Sequence, residues 1–447
     1  MANQRTGLDG PTRAEGLISG RTAIEIAESV KVAIKQGAFR SGDALPPIRA
    51  LAETLGVNRN TVASAYRHLS DAGVIEGKGR QGSRVAVQNG AASRGPTMLH
   101  DIGGGNPDSR LLPDVKALLS QSVWLPRGYE DPPDNPALID FARRELADDG
   151  MPLGDVWIAN GTFDAIEMIL RSYLQPGDTV AVEDPCFMTT LGLVRELGFP
   201  PVPMAVDDQG VLPTAMEEAL KKRVKAMILT PRAHNPFGGS WTAKRRDELA
   251  RVIARYEDVI LIEDDHFAPL SPFKPVTLAS DDRPHWAIVR SVSKYVGPDL
   301  RLAFVNSSDG LAKNVSGLAA FSYRWVSGVL QAAVLATLTS KDYPRIIRDA
   351  SQAYAARRQI LLAALKEAGI KAHGADGINV WIPVADEQAI TRRLMEAGWI
   401  VRPGDIFRLT SGQAIRVTVS TMTDQEAREL AGLLASLQRQ GAVQRGA

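Results

Sequence analysis

Three short apolar runs, AMILT (226–230), VILIED (259–264) and WAIVRSV (286–292), are separated by stretches of helical period such as AKRRDELARVIARY. Runs this short and this uniformly apolar suit strands covered on both faces, because a strand with one wet face alternates instead. GTFDAIEMILRSYL supplies a further helical pattern upstream. From about Leu99 onward, strands alternating with helices predict a mostly parallel α/β sheet flanked by helices. Ligands of such sheets sit at the carboxyl ends of the strands.

The first ninety residues follow a different pattern. Ile24, Ile26, Ala27, Val30 and Ile34 recur at helical spacing up to Gly37. LPPIRALAETLG predicts a second helix with Pro47 near its start and Gly56 at its end. VNRNTVASAYRHLSDAG predicts a third, capped by Asn58 or Asn60 and closed by Gly73, with Val62, Ala65, Tyr66 and Leu69 facing inward. VIEGKGRQGSRVAV then reads as two short strands joined by a basic, glycine-rich turn. Helix, short turn, helix and β-wing is the winged helix-turn-helix pattern. Asn58, Arg59, Asn60 and Thr61 at the start of the third helix are short donors suited to phosphates and base edges, with Arg49, Lys78 and Arg80 flanking them. A small helical dimerisation module with solvated arginines is the bland alternative. Charge supports DNA: residues 1–90 carry twelve Lys and Arg against eight Asp and Glu, although the whole chain is only +1.

Three parts are therefore expected: a winged helix over residues 15–87, a linker over 88–98 that takes in most of the Gly- and Pro-punctuated VQNGAASRGPT (87–97), and an enzyme-like domain over 99–440. The single cysteine, Cys186, permits no internal disulfide. No apolar run resembles a signal peptide or a membrane span, so the expectation is a cytoplasmic chain with no membrane partner.

Four segments of the large part hold its unusual residues. NGTFDAIE (160–167) is a turn entering a helix, whose N–H groups at Gly161, Thr162 and Phe163 can cradle a phosphate. PRAHNPFGG (231–239) presents Asn235, IEDDHF (262–267) ends a strand with carboxylates, and SVSKYVGPDLR (291–301) carries Lys294 and Arg301. Taken singly, each is ordinary: a solvated lysine, a turn, and an Asp264–Asp265 surface pair or Mg²⁺ site. Together they match what pyridoxal phosphate requires. It needs an amine for a Schiff base, an acid for the pyridine nitrogen, a donor for the ring oxygen, and Ser, Arg and a helix terminus for the phosphate. Phe187 in EDPCF is available to stack on the ring.

LPPIRALAETLGVNRNTVASAYRHLSDAGVIEGKGRQGSRV resembles the DNA-binding signature of the GntR regulators, and residues from about 100 to 440 resemble a fold-type I, aspartate-aminotransferase-like domain with a smaller C-terminal α+β subdomain. The combination resembles the MocR/GabR subfamily. TPRAHNPFGG, DDHFAPLS and RSVSKYVGPDLRLA are most similar to its PtsJ-type members, which are associated with vitamin B6 salvage. The resemblance implies that Lys294 forms the Schiff base, Asp264 pairs with the pyridine nitrogen, Asn235 bonds the ring oxygen and Phe187 stacks. It gathers Gly161, Thr162, Phe163, Ser291, Ser293 and Arg301 around the phosphate, gives Arg416 of AIRVTVS a substrate carboxylate, and calls for no metal. His266 stands where the wider family has tyrosine, and position 187 is Phe where Tyr is usual, changes that weigh against efficient transamination more than against cofactor binding.

The expected function is a transcription regulator that binds operator DNA and senses pyridoxal phosphate, with an amino compound as an open second effector. A homodimer is implied, a domain-swapped arrangement being one form of it. The alternative is a working aminotransferase with an appended DNA-binding domain.

Overall fold

Gly56 lies at φ +64°, and its N–H reaches back to the Glu53 carbonyl, so the helix Ile48–Leu55 ends there and the chain turns at once into Arg59–Asp71. The computed structural model describes residues 18–35, 38–39, 42–71, 74–77, 83–85, 99–120, 128–319 and 325–443. The chain divides into two units, Met1–Thr97 and Met98–Ala447. In the first, Leu51, Val62, Ala65 and Leu69 are fully buried with Ile26 and Val30 of the helix Ala23–Lys35. The Tyr66 hydroxyl donates to the Pro46 carbonyl at 2.8 Å, tying the third helix to the start of the second. Ile75–Gly77 pairs antiparallel with Ser83–Val85, and Ala44 bridges to Arg84 on the outer side. Helix, turn, helix and hairpin are thus present as the sequence predicts. The helix stops at Gly37 and Gly73, Lys78 and Arg80 of the hairpin turn, and the linker of residues 88–98 lie outside the described residues.

The second unit is built on an eight-stranded sheet. Its spatial order is Asp155–Ala159, Ala303–Ser307, Trp286–Ser291, Ile260–Asp264, Ala226–Leu229, Val180–Asp184, Pro201–Asp207 and Gly210–Val211. Only Ala303–Ser307 and Gly210–Val211 run against the rest. Alternation along one strand shows why the central runs are apolar throughout. Ala226 and Ile228 pack with the helices Thr162–Tyr173 and Met188–Glu196, whereas Met227 and Leu229 pack on the opposite face with Pro213–Lys221 and Ala243–Ile253.

A smaller α+β subdomain follows. Asn379–Pro383, Ala414–Thr418 and Arg402–Pro403 form a three-stranded sheet, with the helices Tyr343–Glu367, Glu387–Glu396 and Asp424–Val443 around it. His100–Asp101, at the very start of the unit, pairs in parallel with Trp399–Ile400 of this subdomain. Asp184 fastens the two parts together: its carboxylate accepts from the N–H groups of Leu409, Thr410 and Ser411 and from both hydroxyls at 410 and 411. Burial alone would raise its pKa, but those donors bring it below the usual carboxylate value. Among the described residues no helix is long and apolar enough to cross a membrane.

Candidate functional site

Asp155–Ala159, Val180–Asp184, Ala226–Leu229, Ile260–Asp264 and Trp286–Ser291 all run in one direction, so their carboxyl ends meet along one edge of the sheet. A cavity of about 170 Å³ opens there. Of the residues expected around a ligand, Thr162, Phe163, Phe187, Asn235, Asp264, His266, Ser291, Ser293, Lys294 and Arg301 line it. Gly161 and Arg416 do not line it but touch residues that do.

Lys294 is aimed by a tight turn. Val292, Tyr295 and Val296 are buried, and the Val296 N–H closes on the Val292 carbonyl at 2.8 Å, leaving Ser293 and Lys294 toward the cavity. The lysine as a whole is half-buried, and it lines the cavity. Burial, aided by the neighbouring Arg416 guanidinium and opposed by Asp264, lowers its pKa from 10.5 to about 8. Its Nζ donates to the Gly105 carbonyl at 2.6 Å.

The two adjacent aspartates have separate environments. Asp265 is fully buried and accepts from Arg232 at 2.9 and 2.6 Å and from Arg290 at 3.0 Å. Burial would raise its pKa, but the two guanidiniums overcome that and bring it to about 2. With Asp265 committed to those arginines, the pair is neither a surface patch nor jointly open to a cation. Asp264 instead faces the cavity, and its Oδ1 is buried without a hydrogen-bond partner among the described residues. His266 Nδ1 lies 3.6 Å from Asp264 Oδ2 and is likewise buried without a hydrogen bond.

Part of the cavity lining is basic and rich in donors. Gly161 (φ +89°) precedes the helix Thr162–Tyr173 with no side chain capping that terminus. A methyl group on Gly161 would lie 2.9 Å from Arg301 Nη2, so only glycine lets the guanidinium approach the helix start. Arg301 itself sits at φ +44°, a conformation that costs a side-chain-bearing residue about 1–3 kcal/mol. Ser291 and Ser293 share a hydrogen bond of 2.7 Å beside it. Phe163 and Phe187 stack with centroids 5.8 Å apart.

Arg416 is 2% exposed. Its guanidinium lies over the Phe407 ring, donates to the Gly103 carbonyl, and reaches Asn235 Oδ1 at 3.2 Å. Burial, with Arg402 nearby, lowers its pKa to about 10. Because Asn235 Oδ1 is taken, its Nδ2 is the end left to donate. Among the members of the cavity's surroundings that sequence reasoning missed are Glu183, which lines it, and His234, which contacts Glu183. His234 Nε2 stands 3.2 Å from Glu183 Oε2 while Nδ1 accepts from the Phe237 N–H. Both lie inside motifs already singled out, EDPCF and PRAHNPFGG. The Gly103–Gly105 contacts were missed too; IGGGNP signals only a loop, not its neighbours.

In the first unit, Asn58 Oδ1 accepts the Asn60 N–H at 2.8 Å, which makes Asn58 the cap of the third helix. Arg59 and Asn60 are exposed and Thr61 is half-buried. Arg49 pairs with Glu53 at 3.1 Å across an exposed turn, a link weak enough to yield to a phosphate.

Residues 22–85 match the bacterial regulatory proteins of the gntR family, and residues 136–434 match aminotransferase class I and II. The vitamin B6 salvage pathway transcriptional repressor PtsJ of Salmonella typhimurium is 42% identical over 426 residues, covering 93% of this chain and 98% of that protein. The HTH-type pyridoxine biosynthesis transcriptional regulator PdxR of Corynebacterium glutamicum is 24% identical over 75% of this chain and 77% of its own length. Among solved structures, an archaeal alanine:glyoxylate aminotransferase superposes with a TM-score of 0.69 at 23% identity, over 76% of this chain and 91% of that one, a likeness of fold. The chain belongs to the GntR-type transcription regulators that carry an aminotransferase class I and II domain, the MocR subfamily.

Proposed function

We propose that this regulator senses pyridoxal phosphate in its aminotransferase-like domain and binds operator DNA through its winged helix as a homodimer, in the control of vitamin B6 metabolism. One observation carries the reading: an enclosed lysine and a carboxylate oxygen with no hydrogen-bond partner among the described residues face the same cavity. Bound pyridoxal phosphate supplies an aldehyde that condenses with an amine and a ring whose nitrogen can carry a proton. Lys294 supplies the amine, held partly neutral by its surroundings. Asp264 Oδ1 accepts the ring N–H, and burial keeps water from competing for it. Asn235 Nδ2 donates to the ring oxygen, since Arg416 occupies the other end of that amide. The helix start at Gly161 and Thr162, with Phe163, Ser291, Ser293 and Arg301, receives the phosphate. Phe187, which lines the cavity, stacks on the ring. The naming of two relatives for vitamin B6 salvage and pyridoxine biosynthesis supports the choice of signal. Arg59, Asn60 and Thr61, with Asn58 capping their helix, read the operator, Arg49, Lys78 and Arg80 flanking them.

The test uses the full chain. Incubation with pyridoxal phosphate followed by borohydride should label the peptide containing Lys294, and the same cofactor should change affinity for the DNA upstream of the protein's own gene. Absence of both the label and the change in DNA affinity would refute the reading. A second reading, a working aminotransferase, draws on the lysine–carboxylate pair and on Arg416 next to it. Sustained multiple turnover with an amino acid and a keto acid would favour it; a single half-reaction or none favours the sensor.

A further inference from the structure

Residues 102–106, IGGGN, come just after the chain enters the second unit, and they reach directly to two cations of the site, Lys294 and Arg416. Both ends of the stretch are anchored. At one end, the Ile102 N–H donates to the Ile400 carbonyl at 2.9 Å, and the Thr418 N–H donates to the Ile102 carbonyl at 2.7 Å. At the other, Asp108 is buried, accepting from Arg110 and Arg357 while its N–H donates to the Tyr354 hydroxyl. Between the anchors, contacts run mostly to the pocket side. The Gly105 carbonyl accepts from Lys294 Nζ at 2.6 Å, and the Gly103 carbonyl accepts from Arg416 and from Arg402 Nε at 3.2 Å. The Gly105 N–H donates to Thr418 Oγ1 at 3.0 Å. Gly105 adopts φ +69°, and a methyl group there would lie 3.0 Å from Arg416 Nη2, so a side chain would both strain the backbone and press on the guanidinium.

We propose that Gly103–Gly105 is a strap that the ligand displaces. Its carbonyls occupy the Lys294 amine and the Arg416 guanidinium in the free protein, and its release on ligand binding is passed along the chain into the residues joining it to the DNA-binding unit. The proposal rests on the sensor reading and adds the route of its signal. The chemistry requires the change. A lysine ammonium has three N–H donors; condensation with an aldehyde forms the C=N bond, two hydrogens leave with the carbonyl oxygen as water, and a protonated imine keeps one. That remaining hydrogen lies in the plane of the C=N bond and is directed at the ligand's own neighbouring ring oxygen, so Gly105 loses its donor. A buried carbonyl without a partner is costly and must find another or move. Only three residues separate Leu99 from Gly103; His100–Asp101 between them pair with Trp399–Ile400, His100 stacks on Trp399 and pairs with Glu426 at 2.9 Å, and Asp101 accepts from the Gly103 N–H at 2.9 Å. Those ties and the Ile102 anchor make the segment an ordered connection, along which a shift at Gly105 is carried to the start of the linker.

Hydrogen exchange on the full-length protein, with pyridoxal phosphate as the probe, tests the strap. The amides of Gly103–Gly105 should exchange faster when the cofactor is bound; unchanged or slower exchange overturns the proposal. Thr418→Val removes the acceptor of the Gly105 N–H without touching the cavity lining, and it also removes the hydroxyl's bond to Asn379 Oδ1, a loss common to the free and bound states. It should strengthen pyridoxal phosphate binding roughly two- to tenfold, as loss of one net hydrogen bond in the free state implies, and move ligand-free DNA affinity toward the cofactor-bound value. Gly105→Ala should act in the same direction. If wild type binds the cofactor and its DNA affinity responds, yet both variants titrate like wild type, the strap is wrong and the sensor stands. If wild type neither binds nor responds, the sensor reading fails and the strap falls with it.

Discussion

The pKa of Lys294 gives a rate that can be measured. At about 8, against 10.5 for an ordinary lysine, roughly a tenth of the side chain is neutral at pH 7, compared with about 0.03% of an exposed one. The neutral amine is the nucleophile. Uptake of pyridoxal phosphate, followed by absorbance after rapid mixing, should therefore rise about tenfold per pH unit below 8 and level off above it. At neutral pH the availability advantage over Nα-acetyl-lysine, run in parallel to cancel the cofactor's own titrations, is roughly 300-fold. Two variants should move the midpoint in opposite directions. Arg416 disfavours the ammonium, so Arg416→Gln should raise it; Asp264 favours the ammonium, so Asp264→Asn should lower it. A wild-type midpoint near 10.5, or two variants shifting the same way, would refute the electrostatic account of the site.

The same lysine carries a stability signature. Because its folded-state pKa is lowered, Lys294 weakens the fold fully below pH 8 and progressively less as pH rises toward 10.5, so Lys294→Met should raise the melting temperature at pH 7 and lose that advantage near pH 11. Asp265 has the opposite linkage: its contribution is complete above about pH 3.8 and is lost as pH falls through about 2. Asp265→Asn leaves two buried guanidiniums short of charge and should cost about 3–5 kcal/mol in denaturant unfolding of the large unit. Arg59→Ala should weaken operator binding across sequences and lower the slope of log affinity on log salt by about 1, with pyridoxal phosphate uptake unchanged.

The elements that set their own geometry were legible from sequence. Gly56 ends a helix because its left-handed backbone admits few other residues, and the runs at 226, 259 and 286 are strands because both their faces are covered. The motifs around Gly161, Asn235, Asp264 and Lys294 were legible because each sits where a strand of the sheet ends, and the parallel topology brings those ends together. What sequence could not supply were contacts spanning long separations. Nothing in IGGGNP says that its carbonyls reach a lysine 189 residues away, and nothing in IEDDHF says which aspartate is neutralised by arginines at 232 and 290. Pairing of that kind depends on how helices and loops pack after the sheet has formed. For the same reason Asn58 and Asn60 were equivalent as caps until the turn geometry chose Asn58.

The division of labour between Asp264 and Asp265 explains why such a pocket can serve as a sensor. Fixing an acid precisely enough to meet a ring nitrogen requires a rigid support, and Asp265 supplies it by binding two arginines from different strands or loops, one of which also reaches Asp149 at 2.5 Å. That leaves Asp264 held at the strand end with an oxygen unsatisfied, at a cost of about 1–3 kcal/mol in the free protein. The Lys294 ammonium, enclosed beside Arg416, adds a second unfavourable term. A ligand that supplies a ring N–H and an aldehyde relieves both at once, so part of its binding energy is relief of strain already present in the free fold. Ligand-bound and ligand-free states then differ by more than the contacts the ligand adds. A regulator needs that difference, because a ligand shifts a conformational equilibrium only to the extent that it prefers one state over the other.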